Sequence, residues 1–126
     1  MKFHAKNPPR KFEVGYDVKG TISDCGTMHL AADEQITFVT EAGAEYDVTR
    51  KDWGFYMGPS LNGRLASFNL RPVLVKNRYD RYFILLVERG HEAAFDAYVA
   101  REPLKIITWL DTTEALSALE SRASAQ

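Results

Sequence analysis

Apolar and polar residues alternate strictly from Phe12 to Ile22. Phe12, Val14, Tyr16, Val18 and Ile22 share one parity; Glu13, Asp17, Lys19 and Thr21 share the other. A period of two over this length predicts a half-buried strand. Ser23-Asp24-Cys25-Gly26 reads as the turn that ends it, with a short strand over Met28–Ala32. Gln35–Thr40 and Glu45–Thr49 are rich in Ile, Val, Phe, Tyr and Thr and flank the glycine-containing turn Glu41-Ala42-Gly43-Ala44, which predicts a β-hairpin. Pro72–Lys76 and Arg81–Glu88 predict a second hairpin across the polar turn Asn77-Arg78-Tyr79-Asp80. Tyr82–Val87 is apolar on both parities, the pattern of a central strand covered on both faces.

After Gly90 the pattern changes period. Phe95, Tyr98 and Val99 fall at i, i+3 and i+4 in an Ala-rich segment, His91–Arg101, which predicts a short amphipathic helix stopped by Pro103. Leu104–Leu110 fits a strand or a buried turn. Asp111-Thr112-Thr113-Glu114 has the form of a capping box, so a second helix starts there and frays after Glu120. Strands first and helices last predict the α+β class. The expected architecture is a small curled antiparallel sheet or open β-barrel of about five or six strands, with one or two C-terminal helices packed on it.

A chain of 126 residues, 45% of them hydrophobic, is one domain's worth and can build a core without crosslinks. Its organisation reads as a basic N-terminal arm, 1–11, followed by a single α+β domain, 12–126. Cys25 is the single cysteine, so no intrachain disulfide forms and a reducing, cytoplasmic setting is expected. The N-terminus has charges but no apolar core of a signal peptide, and no apolar run approaches the ~20 residues that span a bilayer. The net charge of −1 conceals segregation: residues 1–11 carry +4, 12–49 carry −7, 50–81 carry +5 and 82–126 carry −3. Such blocks neutralise each other if they lie side by side; if not, the central block offers a basic surface to an anionic partner.

Residues 53–71 follow neither period. Three of the eight glycines lie here, with Pro59 and the Asn62-Gly63 turn. Long aperiodic segments within a domain are often functional. Trp53, Phe55 and Tyr56 supply flat apolar faces, Ser60 and Asn62 supply hydrogen bonds, and Arg64 supplies a planar fork suited to carboxylate or phosphate. The competing reading has short strands at 53–57 and 64–70, a loop reduced to Gly58–Gly63, and aromatics that join the core.

Two near-motifs in this segment fail. Gly58–Gly63 has P-loop glycine spacing, but Arg64 and Leu65 stand where Lys and Ser/Thr are required. Gly58-Pro59-Ser60 resembles a nucleophile elbow, but Asn62 replaces its second glycine. His4, His29 and His91 are widely spaced and make no metal-binding motif, so neither a metal nor a cofactor is expected. Cys25, near Asp24 and His29, reads as a turn residue and not as a thiolate nucleophile.

Three functional readings remain open. The first is a small-molecule binding module for an anionic or sugar-like ligand, with Trp53, Tyr56, Ser60, Asn62 and Arg64 forming the pocket. The second is a small cofactor-independent acid–base enzyme, an isomerase or lyase, using the same pocket with Asp52 or Tyr56 as proton carrier. The third is a single-stranded nucleic-acid or protein-interaction barrel using the basic segment 71–81, in which Arg71, Lys76, Arg78 and Arg81 flank Tyr79. No membrane partner is expected. A small sheet leaves edges, which a homodimer commonly covers.

Overall fold

The computed structural model describes residues 1–125. Eight strands form three antiparallel sheets, joined by a 3₁₀ turn and two helices that come late in the chain. The α+β class therefore holds. A barrel does not form: the strands divide into one pair and two triplets, and no sheet closes on itself.

Strands β1 (Lys2–Val14) and β2 (Gly20–His29) make a long two-stranded ribbon. The continuous strand expected over Phe12–Ile22 is thus a hairpin, and its turn is 15–19, not Ser23–Gly26. The reason is parity. Phe12 pairs with Ile22 and Val14 with Gly20, so a five-residue turn returns every apolar position to the same face and alternation passes through it unbroken. Gly15 makes the turn possible at φ +104°, where a Cβ would lie 2.3 Å from the Val18 carbonyl oxygen. The basic segment 1–11 and the start of the following segment share this one strand. Pairing breaks between Ala5 and Arg10, around Pro8 and Pro9, and the Asp24 carboxylate holds the break together from Lys6 Nζ at 2.9 Å and Arg10 Nε at 3.4 Å.

Strands β3 (Gln35–Val39), β4 (Glu45–Lys51) and β5 (Gly54–Gly58) form the second sheet in that order. The expected hairpin is its β3–β4 pair, with Phe38 opposite Tyr46 and Ile36 opposite Val48. The aperiodic segment resolves into β5, the loop 59–63 and a 3₁₀ turn at Arg64–Phe68, so its first half follows the short-strand reading.

The third sheet has the order β7–β6–β8, from β6 (Leu70–Lys76), β7 (Tyr82–Glu88) and β8 (Lys105–Trp109). Here the sequence misleads: Tyr82–Val87 is an edge strand, and Tyr82, Phe83 and Ile84 are exposed. The covered central strand is β6. Helix α1 (Glu92–Arg101) leaves β7, crosses one face and delivers the chain to the far side of β6 as β8. Pro72 is tolerated in a central strand because β8 has ended there; only its carbonyl is used, accepting from Leu110 N.

The core is split by this sheet. On one face Val73, Val75, Val87 and Phe95 pack with Leu85, Val99 and Trp109. On the other, Leu70 packs with Ala44 and Leu65 beside Tyr46 and Leu86, tying in the second sheet. Helix α2 (Thr113–Ser124) starts one residue later than the capping box predicts: Thr112, not Asp111, is the cap, its Oγ1 accepting from Ala115 N, and the helix runs past Glu120. Among the described residues no helix is long and apolar enough to cross a membrane.

Candidate functional site

Three hollows meet at Tyr98 of α1. The first, about 250 Å³, lies between the ribbon's turn, the β6–β7 turn, β7 and the end of α1. Its walls are Tyr16, Tyr79, Phe83 and Tyr98 with Val75, Leu85 and Leu104; its polar groups are Asn77, Arg78 and Glu102. The second, about 240 Å³, continues past Tyr98 and Glu102 toward Lys19 and Arg101. The third is a shallower groove between β7 and α1 that runs toward Glu88 and His91.

Each wall is fixed by local chemistry. Asn77 organises the β6–β7 turn: its Oδ1 accepts from Tyr79 N at 2.9 Å and from Arg81 N at 3.1 Å, while Asn77 N donates to the Arg81 carbonyl. Asp80 takes a left-handed conformation, φ 58°, and pairs with Lys76 at 3.1 Å. That hydrogen bond and the Asp80 charge hold the Lys76 ammonium pKa above its ordinary value. The turn so built carries Arg78 and Tyr79 at its tip.

Tyr16 is fixed from the other side. Its backbone N–H donates to Glu102 Oε2 at 3.0 Å, and Lys19 Nζ closes the ribbon's turn on the Gly15 carbonyl at 2.8 Å. Glu102 ends α1 with its side chain largely buried and Arg101 Nε at 3.8 Å. The Arg78 guanidinium then lies over the Tyr16 ring, 3.8 Å from its centre, with Tyr79 at 6.0 Å. Among the described residues no carboxylate lies within ion-pair distance of Arg78. A guanidinium stacked on a ring keeps its edge donors available for an anion.

The residues singled out between 52 and 64 are not gathered into this hollow. Asp52 and Trp53 stand on the exposed β4–β5 turn, and Tyr56 is exposed on β5 beside Gly58. Ser60 Oγ accepts from Arg64 N, Asn62 Nδ2 donates to Thr113 Oγ1 at the start of α2, and Arg64 lies over Phe68 at 5.6 Å. None of these residues lines the three hollows.

The basic segment 71–81 divides. Arg71 pairs with Asp111 at 2.8 Å and with Glu92, and stacks on Trp109 at 4.0 Å. Lys76 is held by Asp80. Arg78 and Tyr79 face the hollow. The sequence marks those two residues, but it gives Tyr16 and Tyr98 only structural places, in a strand and a helix, and does not single out Glu102. The one local signal for Tyr16 was the glycine immediately before it.

Among the described residues no three His, Cys, Asp or Glu side chains converge as metal ligands. Compared with protein-family models, curated proteins and solved structures, the chain shows no significant match.

Proposed function

We propose that the protein is a binding module for a small anionic or sugar-like ligand, held in the hollow at Tyr16, Arg78, Tyr79, Tyr98 and Glu102. The observation that carries this reading is the Arg78 guanidinium, stacked on Tyr16 at 3.8 Å without a carboxylate partner inside an aromatic cavity. A planar cation takes a carboxylate or phosphate through two parallel hydrogen bonds. The surrounding rings accept the flat or apolar face of the ligand. Glu102 repels a second negative charge and accepts hydrogen bonds from hydroxyl or ammonium groups, so it orients the ligand with its anion toward Arg78. A volume of about 250 Å³ lies just under the ~300 Å³ at which drug-sized sites begin, which suits a metabolite.

The ligand class is the one expected from the sequence, while the site moves away from Trp53, Tyr56, Ser60, Asn62 and Arg64. Those residues line none of the three hollows at Tyr98. Acid–base chemistry through Asp52 or Tyr56 would need an enclosed substrate, and both stand on open surface. Nucleic-acid binding through 71–81 would draw on Arg71 and Lys76, which are already ion-paired. The proposal includes a cytoplasmic setting, to which a single exposed thiol at Cys25 is suited, and a symmetric pair of chains.

A thermal-shift panel of sugar phosphates and small carboxylates tests it. At a ligand concentration of 100 Kd, mass action adds about 2.7 kcal/mol to the folded state. Arg78→Ala is expected to abolish the shift and Arg64→Ala to keep it. The opposite pattern would return the site to residues 53–64, and no shift with any member of the panel would overturn the reading.

A further inference from the structure

Strand β7 is an edge without protection. It pairs with β6 from Tyr82 to Glu88 without a register shift, and among the described residues no strand pairs with its other side. Soluble proteins blunt such edges with lysine, proline, a bulge or a short strand. β7 is seven residues long, carries no charge before Glu88 and has none of these devices. Tyr82, Phe83 and Ile84 are exposed on it.

The pairing fixes which backbone groups are free. Arg89 N donates to the Asn69 carbonyl and Asn77 N to the Arg81 carbonyl, one bond beyond each end of the β6–β7 ladder. Bonded and non-bonded pairs alternate in an antiparallel ladder, so Phe83, Leu85 and Val87 turn their backbone groups to β6. Tyr82, Ile84 and Leu86 turn theirs to the open edge. Pro72, opposite Leu86, fits this phase, because a non-bonded pair asks no N–H of it.

The same strand walls two of the hollows. Phe83 and Leu85 line the cavity that holds Arg78, and Leu85, Val87 and Glu88 line the groove between β7 and α1. Leu85 and Tyr98 belong to both, so the two make one channel along β7. It runs from His91 at one end to Arg78 at the other, a guanidinium with no ion-pair partner among the described residues.

We infer that the anion at Arg78 is the terminal carboxylate of an extended peptide, which adds to the third sheet as a new strand beside β7. The inference rests on the proposed anion site and names the ligand that fills it. A bare edge along the side and a cation at the end select a chain terminus over a compact metabolite. With its carboxylate at Arg78, the peptide runs antiparallel to β7. Ile84 and Leu86 exchange N–H···O=C bonds with alternate peptide residues. The last side chain enters the cavity of about 250 Å³ among Tyr16, Phe83 and Tyr98. The side chain two residues earlier points the same way and lies in the groove on Phe95.

The test selects a pool of random hexapeptides with free carboxyl ends on the full chain. The tightest binder is resynthesised as the acid, as the amide and with single N-methyl groups. By fluorescence polarisation the acid should bind about tenfold more tightly than the amide, or better, the difference a lost charge-assisted pair makes. Arg78→Ala should weaken the acid by a similar factor. N-methylation of the alternate amides that face β7 should abolish binding to the unaltered protein, and N-methylation between them should spare it. Ile84→Pro removes an outward N–H that the fold does not use. It should weaken the peptide and keep the Arg78-dependent thermal shift given by small carboxylates. Small carboxylates that bind through Arg78 while no peptide is selected would overturn the chain end and leave the proposed site standing. Failure of both would overturn the two together. A selected peptide indifferent to amidation, or to N-methylation at every position, would overturn the inference, because the terminus or the edge would then not be what holds it.

Discussion

The two three-stranded sheets are built alike and end differently. In β7–β6–β8 the middle strand is sealed: Val73 and Val75 are fully buried, with α1 over one face and the Leu70 cluster under the other. In β3–β4–β5 every residue of the middle strand is only half-buried, and its apolar face is open beyond Tyr46. Both sheets have hydrophobic side chains to cover. Only one is followed directly by a helix that can fold back on it. Cover in this chain comes from connectivity: the β7–α1–β8 crossover cannot form without laying α1 across β6. The second sheet has short turns on either side of β4 and hence no segment of its own to close it.

The largest expected effect follows from that contrast. Phe95 is the α1 side chain that reaches furthest into the sealed sheet, edge-on to Trp109 at 5.8 Å. Phe95→Ala should lower unfolding free energy by about 3–5 kcal/mol in urea titrations, through lost transfer energy and the cavity left behind. Phe55→Ala removes a side chain of the same size from the open sheet. At concentrations where the chains are separate it should cost less than about 0.5 kcal/mol. Equal losses at the two positions would mean that the open face is covered within a single chain, and the comparison would fail.

A second test concerns the rim of the sealed sheet. Arg71 donates to Asp111 Oδ2, pairs with Glu92 and lies flat on Trp109, so it clamps β6, α1 and the chain after β8 together. The Asp111 hydrogen bond chiefly, with Glu92 behind it, raises the Arg71 pKa above its ordinary value. Asp111 is largely buried, and its Oδ1 has no hydrogen-bond partner. Arg71→Met keeps most of the packing on Trp109 and removes the donors to Asp111. We expect a loss of about 2 kcal/mol by thermal and urea unfolding, the cost of a buried carboxylate deprived of its donor. Arg71→Lys should fall between the two, because an ammonium cannot make the same flat fork. A neutral Arg71→Met would show that the seal is apolar packing alone.

Local signals in the sequence carried over into the fold wherever the structure is itself local. Both predicted hairpins, helix α1 and the Thr112 cap each depend on residues adjacent along the chain or joined through one short turn. The misreadings are of another kind. The ribbon's turn hid behind an even pairing sum. The exposure of Tyr82–Ile84 depends on where the chain returns as β8, about twenty residues later. One sheet became three because nothing in a strand's own pattern names its neighbours. The site divides along the same line: Arg78 and Tyr79 sit in a recognisable turn, but the wall opposite them is made where Tyr16 meets Glu102, 86 positions away. Aromatic, glycine-rich composition drew attention to 53–64, where those side chains spread along a strand and a loop and line none of the three hollows at Tyr98.

The smallest expected effect separates burial from charge as the origin of the seal. Glu92 opens α1, and its carboxyl pKa lies below its ordinary value of about 4.5. The causes are hydrogen bonds from its own backbone N–H and from Gly90 N–H, with Arg71 adding to them. A depressed folded-state pKa means that the contribution is fully present above about pH 4.5 and is lost as the pH falls through the lower folded value. The group is half-exposed at the rim, so its loss should be felt locally. In an acid titration followed by amide NMR, the Gly90 and Glu92 resonances should move together below pH 4.5, and Glu92→Gln should abolish the movement. Hydrogen-exchange protection along β6, corrected for intrinsic rates, should stay level over the same interval, because Val73 and Val75 are protected by apolar cover that does not titrate. A fall in β6 protection that tracks Glu92 would mean that the rim charges hold α1 in place. The sealed sheet would then differ from the open one by a latch and not by its core.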